Sequence, residues 1–379
     1  MRFDSARPLR VAVVVASLQI LGGQAVQARR LLNGWMHDPD VEAWIVPINP
    51  VPPKPFDRLL RVKFVRTFIT QLCYWPLLVR ELRRADLVHV FSASYSSFLL
   101  APLPAVLISR LLGKPVLLNY HSGEAPDHLR RSWIARVTLR RHVDLNVVPS
   151  SFLQTVFMRF GIPAAIVPNT IDRRQFPYRV RDLRQRPVKL LSTRNFEPLY
   201  NVACTLRAFA LVQARVPAVS LTLVGSGSEE AALKQLAADL SLRQVTFAGR
   251  VAPEHVAACY AAADLYVQTP SVDNMPLSIL EAFSSGLPVV STAVGGVPAV
   301  LTDGVHGLLA RDNDPQSVAS RVIELIERPD QARALAGTAY DACAQYEWKH
   351  VREAWLAAYR RVAPAGEVAR AHAQLERSV

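Results

Sequence analysis

Residues 271–290 read SVDNMPLSILEAFSSGLPVV, and their order decides the fold. The stretch follows a β-branched run, Asp264 to Thr269, and closes on another, Pro288 to Ser291. Between them, Asn274 and Pro276 mark a helix start, because a side-chain acceptor caps free amides and proline tolerates the first turn. Gly286 and Pro288 mark its stop. Strand, loop, helix and strand in this order make a βαβ unit, which belongs to a parallel sheet. Asp273 then lies in the loop before the helix and Glu281 about one and a half turns inside it, so both acids can border one crevice. The plainer alternative is a capped surface helix carrying two ordinary acids.

Working outward, the same alternation fills the chain. Arg10 to Ser17, Val41 to Ile48, Leu87 to Phe91, Pro115 to Asn119, Asp144 to Pro149 and Ala165 to Val167 form a first series of strand-like runs, each followed by a helical pattern. After a basic, proline-marked stretch near 172–187, a second series begins: Lys189 to Thr193, Val219 to Val224, Gln244 to Ala248, Asp264 to Thr269, Pro288 to Ser291 and Gly307 to Leu309. The expectation is α/β, with two Rossmann-like, doubly wound domains over 1–175 and 176–362 and a site at the carboxyl ends of the strands. The amphipathic pattern from Trp348 to Val362 is the last helix, and the polar tail 363–379 is expected to pack back on the first domain.

The 379 residues suffice for two or three domains, and a half-hydrophobic, one-fifth-charged composition excludes disorder and disulfide scaffolds. The formal net charge is +13, and it is lopsided: residues 1–189 carry 28 basic and 12 acidic side chains, residues 190–379 carry 16 and 19. One domain therefore faces something anionic. Cys73, Cys204, Cys259 and Cys343 have no paired spacing, which fits a reduced compartment. Arg2, Arg7 and Arg10 before the apolar run Val11 to Leu21 mimic a signal peptide, but that run opens into Gly22-Gly23, as a buried first strand and its turn would. A cytoplasmic protein is expected, held at most peripherally at the inner face of a membrane.

The quoted stretch resembles the carboxyl-terminal signature of the retaining, GT-B-type glycosyltransferases of family 4, in its acid at 273, its Glu281 eight positions on and its small-Gly-x-Pro-Val-Val tail. Ser291 to Pro298 (STAVGGVP), Asp144 to Ser150 (DLNVVPS), Val167 to Asp172 (VPNTID), Leu223 to Gly227 (LVGSG) and Phe247 to Val251 (FAGRV) match that family in order and spacing. The resemblance runs from about residue 10 to about residue 362 and implies a GT-B fold, two domains facing across a cleft. The first domain would bind the acceptor and the second a nucleotide-sugar donor.

The same resemblance implies a set of roles. Arg194 occupies the phosphate-clamping position, where a planar fork suits phosphate oxygens. Glu281 would accept ribose hydroxyls, and Asp273 with the backbone around Asn274, Met275, Pro276 and Leu277 would hold hydroxyls of the sugar. Gly225 and Gly227 would let backbone approach the nucleotide, and Arg250 and Val251 would flank its base. In the first domain, Gly22 and Gly23 form the glycine loop and His121 matches the histidine near the donor sugar. The family adds a Lys five or six positions after Arg194; here Leu199, Tyr200 and Asn201 stand, and Tyr200 is the candidate substitute as a hydrogen-bond donor. No metal ligand set and no cofactor beyond the donor are expected.

Lys54 to Arg84 interleaves Lys54, Arg58, Arg61, Lys63, Arg66, Arg80, Arg83 and Arg84 with Phe56, Phe64, Phe68, Tyr74 and Trp75. Such a segment suits the surface of an anionic bilayer, or else a solvated helix with an apolar core face. The expected acceptor is a saccharide or a lipid-linked sugar, and nucleic acid is not an expected partner. The alternative class is a catalytically impaired GT-B protein or polyanion-binding partner, for which the missing Lys is the argument.

Overall fold

The computed structural model describes residues 7–16, 23–51, 63–92 and 94–363. They fall into two compact units, one ending at Thr170 and resuming at Lys349, the other spanning Ile171–Trp348. The first contains β1 (Leu9–Val15), β2 (Val41–Pro47), β3 (Leu87–Ser92), β4 (Val116–Tyr120), β5 (Leu145–Val148) and β6 (Ala164–Ile166). The second contains β7 (Val188–Ser192), β8 (Val219–Val224), β9 (Val245–Gly249), β10 (Leu265–Gln268), β11 (Val289–Thr292) and β12 (Leu308–Ala310). Each strand lies within two residues of the run that predicts it.

The first sheet has the order β2-β1-β3-β4-β5-β6 and the second β12-β11-β10-β7-β8-β9, with every pairing parallel. Parallel strands need crossovers, which place helices on both faces, so the central strands are buried on both sides. β3, β4, β10 and β11 are buried at every position. In the second unit the two faces make separate cores: Leu190, Leu221 and Val290 pack with helices Val202–Arg215 and Pro315–Glu327, whereas Leu191, Tyr266 and Val289 pack with helix Leu277–Ser284. Alternation along each strand assigns neighbours to opposite cores.

Two boundaries differ from the sequence reading. Residues 171–175 group with the second unit, where Ile171 bridges Glu347 and donates its N–H to the Tyr346 carbonyl at 2.9 Å. Helix Trp348–Val362, which the sequence reading kept with the second domain, groups from Lys349 onward with the first. The cause is aromatic burial. Tyr359 is fully buried, packs on Trp35 at 5.7 Å and hydrogen-bonds His89 Nδ1 at 2.9 Å, while Arg352 pairs with Asp38 and Asp40 at 2.7 and 2.6 Å. Burying rings such as Trp355 and Tyr359 contributes on the order of 4 kcal/mol each before ordering costs. The tail from 364 onward, with its expected packing, lies outside the described residues.

Candidate functional site

In the second sheet the strand order reverses between β10 and β7, the topological switch point at which open α/β sheets bind ligands. Arg194 leaves the carboxyl end of β7, and Asp273 follows β10, so the two meet there. Arg194 Nη2 donates to Asp273 Oδ2 at 2.5 Å and Nη1 to Ser278 Oγ at 3.0 Å. The Tyr200 ring lies 4.0 Å from the guanidinium carbon, within cation–π range. The side chains of Arg194 and Asp273 are only 9% and 12% exposed. Burial alone would lower the pKa of Arg194, but the charge of Asp273 and the surrounding tyrosines more than reverse it, so the group stays charged. Its Nε–H is buried with no hydrogen-bond partner, and buried polar atoms in that state call for an acceptor.

The loop after β8 is zipped onto the loop after β7. Phe196 donates its N–H to the Ser226 carbonyl at 3.1 Å, and the Glu197 carboxylate accepts the Ser228 hydroxyl at 2.6 Å and its N–H at 3.1 Å. A Cβ on Gly225 would stand 2.1 Å from the Arg194 carbonyl oxygen, and one on Gly227 2.3 Å from that of Phe196. Any side chain at either position would force these loops apart. Gly225 N–H also reaches the Gly249 carbonyl at 2.9 Å, which brings Arg250 and Val251, just past β9, into the same rim. Arg250 is exposed and Val251 half-buried.

The quoted stretch departs from its reading in one detail. The helix runs Leu277–Ser284 with Pro276 as its N-cap, and no side chain caps it. Asn274 is instead buried in the loop, its N–H donating to its own neighbour's Oδ1 on Asp273 at 2.7 Å. The Met275 side chain belongs to the core with Ile279 and Leu280, so only its backbone is placed to face a ligand. Glu281 lies on the helix as expected and accepts from Tyr260 Oη at 3.0 Å. Tyr260, Thr193, Ser278 and Gln268 complete this network and were not among the sequence candidates. Sequence reasoning misses them because their proximity depends on β7 lying beside β10, which no local pattern announces.

The first unit holds the other candidates. His121 follows β4 and stacks on Phe91 at 5.3 Å and 7°, and Phe91 stacks on His89 at 5.0 Å and 6°. Burial pushes His121 down to about 4, and burial with the nearby His121 pushes His89 down to about 3. Both imidazoles are therefore neutral at pH 7, and His121 is suited to hydrogen bonding rather than to meeting an anion as a cation. Around it, Gln27, Asn119, Asn169 and Trp355 line a small hollow. Gly23 opens helix Gly23–Trp35, and nothing lies within 4 Å of where its Cβ would stand. Gly22 lies outside the described residues, as do Lys54, Phe56, Arg58 and Arg61.

Two family models match consecutive parts of the chain. The model for glycosyl transferases group 1 matches residues 178–342, and that for Glycosyltransferase Family 4 matches residues 21–175, together more than four fifths of the sequence. The chain belongs to the family 4 glycosyltransferases. Among its relatives, the sulfoquinovosyl transferase SQD2 of Arabidopsis thaliana is 24% identical over 72% of the chain and 56% of its own length. A D-inositol 3-phosphate glycosyltransferase of Corynebacterium urealyticum is 35% identical over 36% of the chain and 32% of its own length. The matched segments thus span little more than half, or less, of these relatives. The crystal structure of Anabaena Alr3699/HepE in complex with UDP-glucose superposes with a TM-score of 0.74 at 20% identity, covering 91% of the chain and 97% of that protein. Sucrose-phosphate synthase from Thermosynechococcus elongatus gives 0.69 at 19%, covering 93% and 98%. The fold of the chain is GT-B.

Proposed function

We propose that the protein is a retaining glycosyltransferase that moves a sugar from a nucleoside diphosphate to a hydroxyl of a saccharide or lipid-linked acceptor in cell-envelope polysaccharide or glycolipid synthesis. The observation that carries this reading is Arg194. It is a buried guanidinium at the switch point, held flat by Tyr200, with an unsatisfied Nε–H and glycine-permitted backbone beside it. When the glycosidic bond breaks, negative charge grows on the leaving diphosphate, and a preorganised cation in a water-poor site stabilises it. In this reading Glu281 accepts the ribose hydroxyls, Asp273 and the backbone of Asn274 to Leu277 hold the sugar, and Arg250 and Val251 flank the base. Gly225 and Gly227 admit the nucleotide, His121 offers a neutral imidazole, and Gly23 leaves room. The reaction proceeds on one face of the sugar with the leaving phosphate taking the acceptor proton, and needs neither a protein nucleophile nor a metal.

The departure at Tyr200 would favour a catalytically impaired member, but its ring supports Arg194 directly and so gives the residue work at the same site. The test is thermal stabilisation by UDP, GDP and ADP, with UDP first, followed by product detection with the matching nucleotide sugars. Arg194→Ala abolishes the response if the reading is right. A wild-type protein that none of the three stabilises refutes it.

The acceptor side is proposed from the first unit. No helix among the described residues is long and apolar enough to cross a membrane. Helix Lys63–Arg84, however, exposes Val65, Phe68, Leu72 and Trp75, whose spacing of three, four and three places them on one stripe, flanked by exposed Arg66, Arg80 and Arg84. Its other face, with Tyr74, Leu78 and Leu82, is core. An apolar stripe edged by cations fits an anionic bilayer surface.

A further inference from the structure

One buried hydroxyl under the donor-site helix has no part in the transfer as proposed. Tyr260, on helix Pro253–Ala262, is fully buried. Its ring is fixed on two sides, edge-on to Phe176 at 5.6 Å and stacked on Tyr266 at 5.7 Å. Its hydroxyl reaches Glu281 Oε2 at 3.0 Å and the Ser278 carbonyl at 3.3 Å, and lies 2.6 Å from Thr193 Oγ1. A phenol has one proton to give, and a carboxylate is the stronger acceptor, so that proton goes to Glu281 while Thr193 donates to the phenol oxygen. Burial and the charge of Glu281 hold the phenol's pKa well above its ordinary value, so the donor persists across the working pH range.

The network continues past Tyr260. Thr193 directly precedes Arg194, and Arg194 donates to Ser278 Oγ, which donates to Gln268 Oε1 at 2.9 Å. Tyr266 Oη also reaches Gln268 Oε1 at 3.2 Å and Thr193 Oγ1 at 3.3 Å. The phosphate-facing guanidinium and the carboxylate of Glu281 are therefore positioned by one buried set of hydroxyls and an amide, most of them on β10 and helix Leu277–Ser284, with Thr193 just past β7.

We infer that Tyr260 is a positioning residue that fixes the Glu281 carboxylate in the orientation that accepts a ribose diol. The inference rests on the donor-site reading above. A glutamate on a helix surface samples several rotamers, and ordering it at the moment of binding costs affinity; a buried donor on one oxygen removes part of that cost beforehand. The effect is confined to the hydroxyls that Glu281 meets, which separates positioning from general support of the fold.

The test compares UDP with 2′,3′-dideoxy-UDP by calorimetry, using GDP or ADP and their dideoxy forms if one of those stabilises the protein better. Tyr260→Phe removes the hydroxyl and keeps the ring. It is expected to weaken the ribonucleotide about 10- to 100-fold, the scale of one hydrogen bond to a charged group, and to leave the dideoxy form unchanged. Glu281→Gln abolishes the preference, and adding Tyr260→Phe to it changes nothing more. Thr193→Val, which removes the donor behind the phenol, gives a smaller loss of the same selectivity and serves if Tyr260→Phe fails to fold. Equal weakening of both nucleotides, or an unchanged ratio, overturns the inference alone. Absence of any nucleotide binding by the wild type overturns the donor-site reading and the inference with it.

Discussion

Asp273→Asn separates binding of the leaving group from transfer of the sugar. The carboxylate sits 2.5 Å from Arg194 Nη2 and also accepts the Asn274 N–H at 2.7 Å. A phosphate oxygen bonded to the same guanidinium would lie roughly 5–6 Å from that carboxylate, given ordinary hydrogen-bond lengths. Two unit charges at that separation repel by about 3 kcal/mol at an effective dielectric of about 20. Solvent on the open side screens about half of this, leaving about 1.5 kcal/mol, or tenfold in affinity. Asparagine keeps the shape but has one acceptor oxygen for the two donors and leaves Arg194 without its counter-ion, so the fold loses the ~3–5 kcal/mol expected when a buried ion is left alone. Calorimetry should show UDP bound about tenfold more tightly by the variant, while sugar transfer, which needs the carboxylate on the donor's hydroxyls, falls at least tenfold. A folded variant that binds UDP more weakly than wild type refutes the placement of the diphosphate on Arg194.

The remaining predictions concern the ring, the imidazoles and the exposed stripe. Tyr200→Ala removes the stack on Arg194 and should weaken UDP about 5- to 20-fold, as a partly desolvated cation–π contact of about 1–2 kcal/mol implies, whereas Tyr200→Phe should stay within about twofold; equal losses would assign the role to the hydroxyl instead. His89 and His121 titrate at about 3 and about 4, below the ~6.5 of an unfolded chain, so between those values the unfolded state binds more protons and stability falls as pH drops. At pH 5 each imidazole removes about 2 kcal/mol relative to pH 7, and His89→Phe should flatten the melting temperature's decline between pH 7 and 5; an unchanged slope would refute the assignment. Replacing Phe68, Leu72 and Trp75 together by Glu should abolish binding to phosphatidylglycerol vesicles, and 0.5 M NaCl should weaken the wild type; binding to neutral vesicles of equal strength would refute an anionic surface.

Legibility differed by kind of information. All twelve strands could be read because a parallel strand buried on both faces is a short β-branched run between turn residues, a signal contained in the segment itself. The positions of Arg194, Asp273 and Glu281 are legible in the sequence, because they follow strands or sit in one helix at spacings that a motif preserves. Helix Trp348–Val362 is legible as a helix but its unit is not, since an apolar stripe says that a face is buried and not against which sheet. Asn274 reads as a cap because its local chemistry allows one, but it is buried in the loop with its N–H on Asp273, and the helix starts at Leu277 with no side-chain cap. Tyr260 is invisible in the sequence for a stronger reason: its partners Thr193 and Glu281 lie far apart in the chain, after β7 and on the helix that follows β10, and meet only in the folded unit.

The pairing of β7 with β10 also bears on the charge. The half of the sequence containing the proposed donor site carries slightly more acid than base, yet the proposed ligand there is a dianion. A second cation at the Tyr200 position would stand close to Arg194 and raise the cost of burying both unless the diphosphate were present. An aromatic ring lets Arg194 stay buried and ordered in the absence of ligand, with Asp273 as its counter-ion. In the proposed reading the site holds its anion through one preorganised fork and backbone donors rather than through net charge. The basic excess lies instead in the half that carries the exposed stripe Phe68, Leu72 and Trp75, where long-range attraction to an anionic surface requires many cations and no exact geometry. Salt should therefore affect the two halves unequally, weakening vesicle binding well before it weakens nucleotide binding, and a protein in which both decline together would contradict this division.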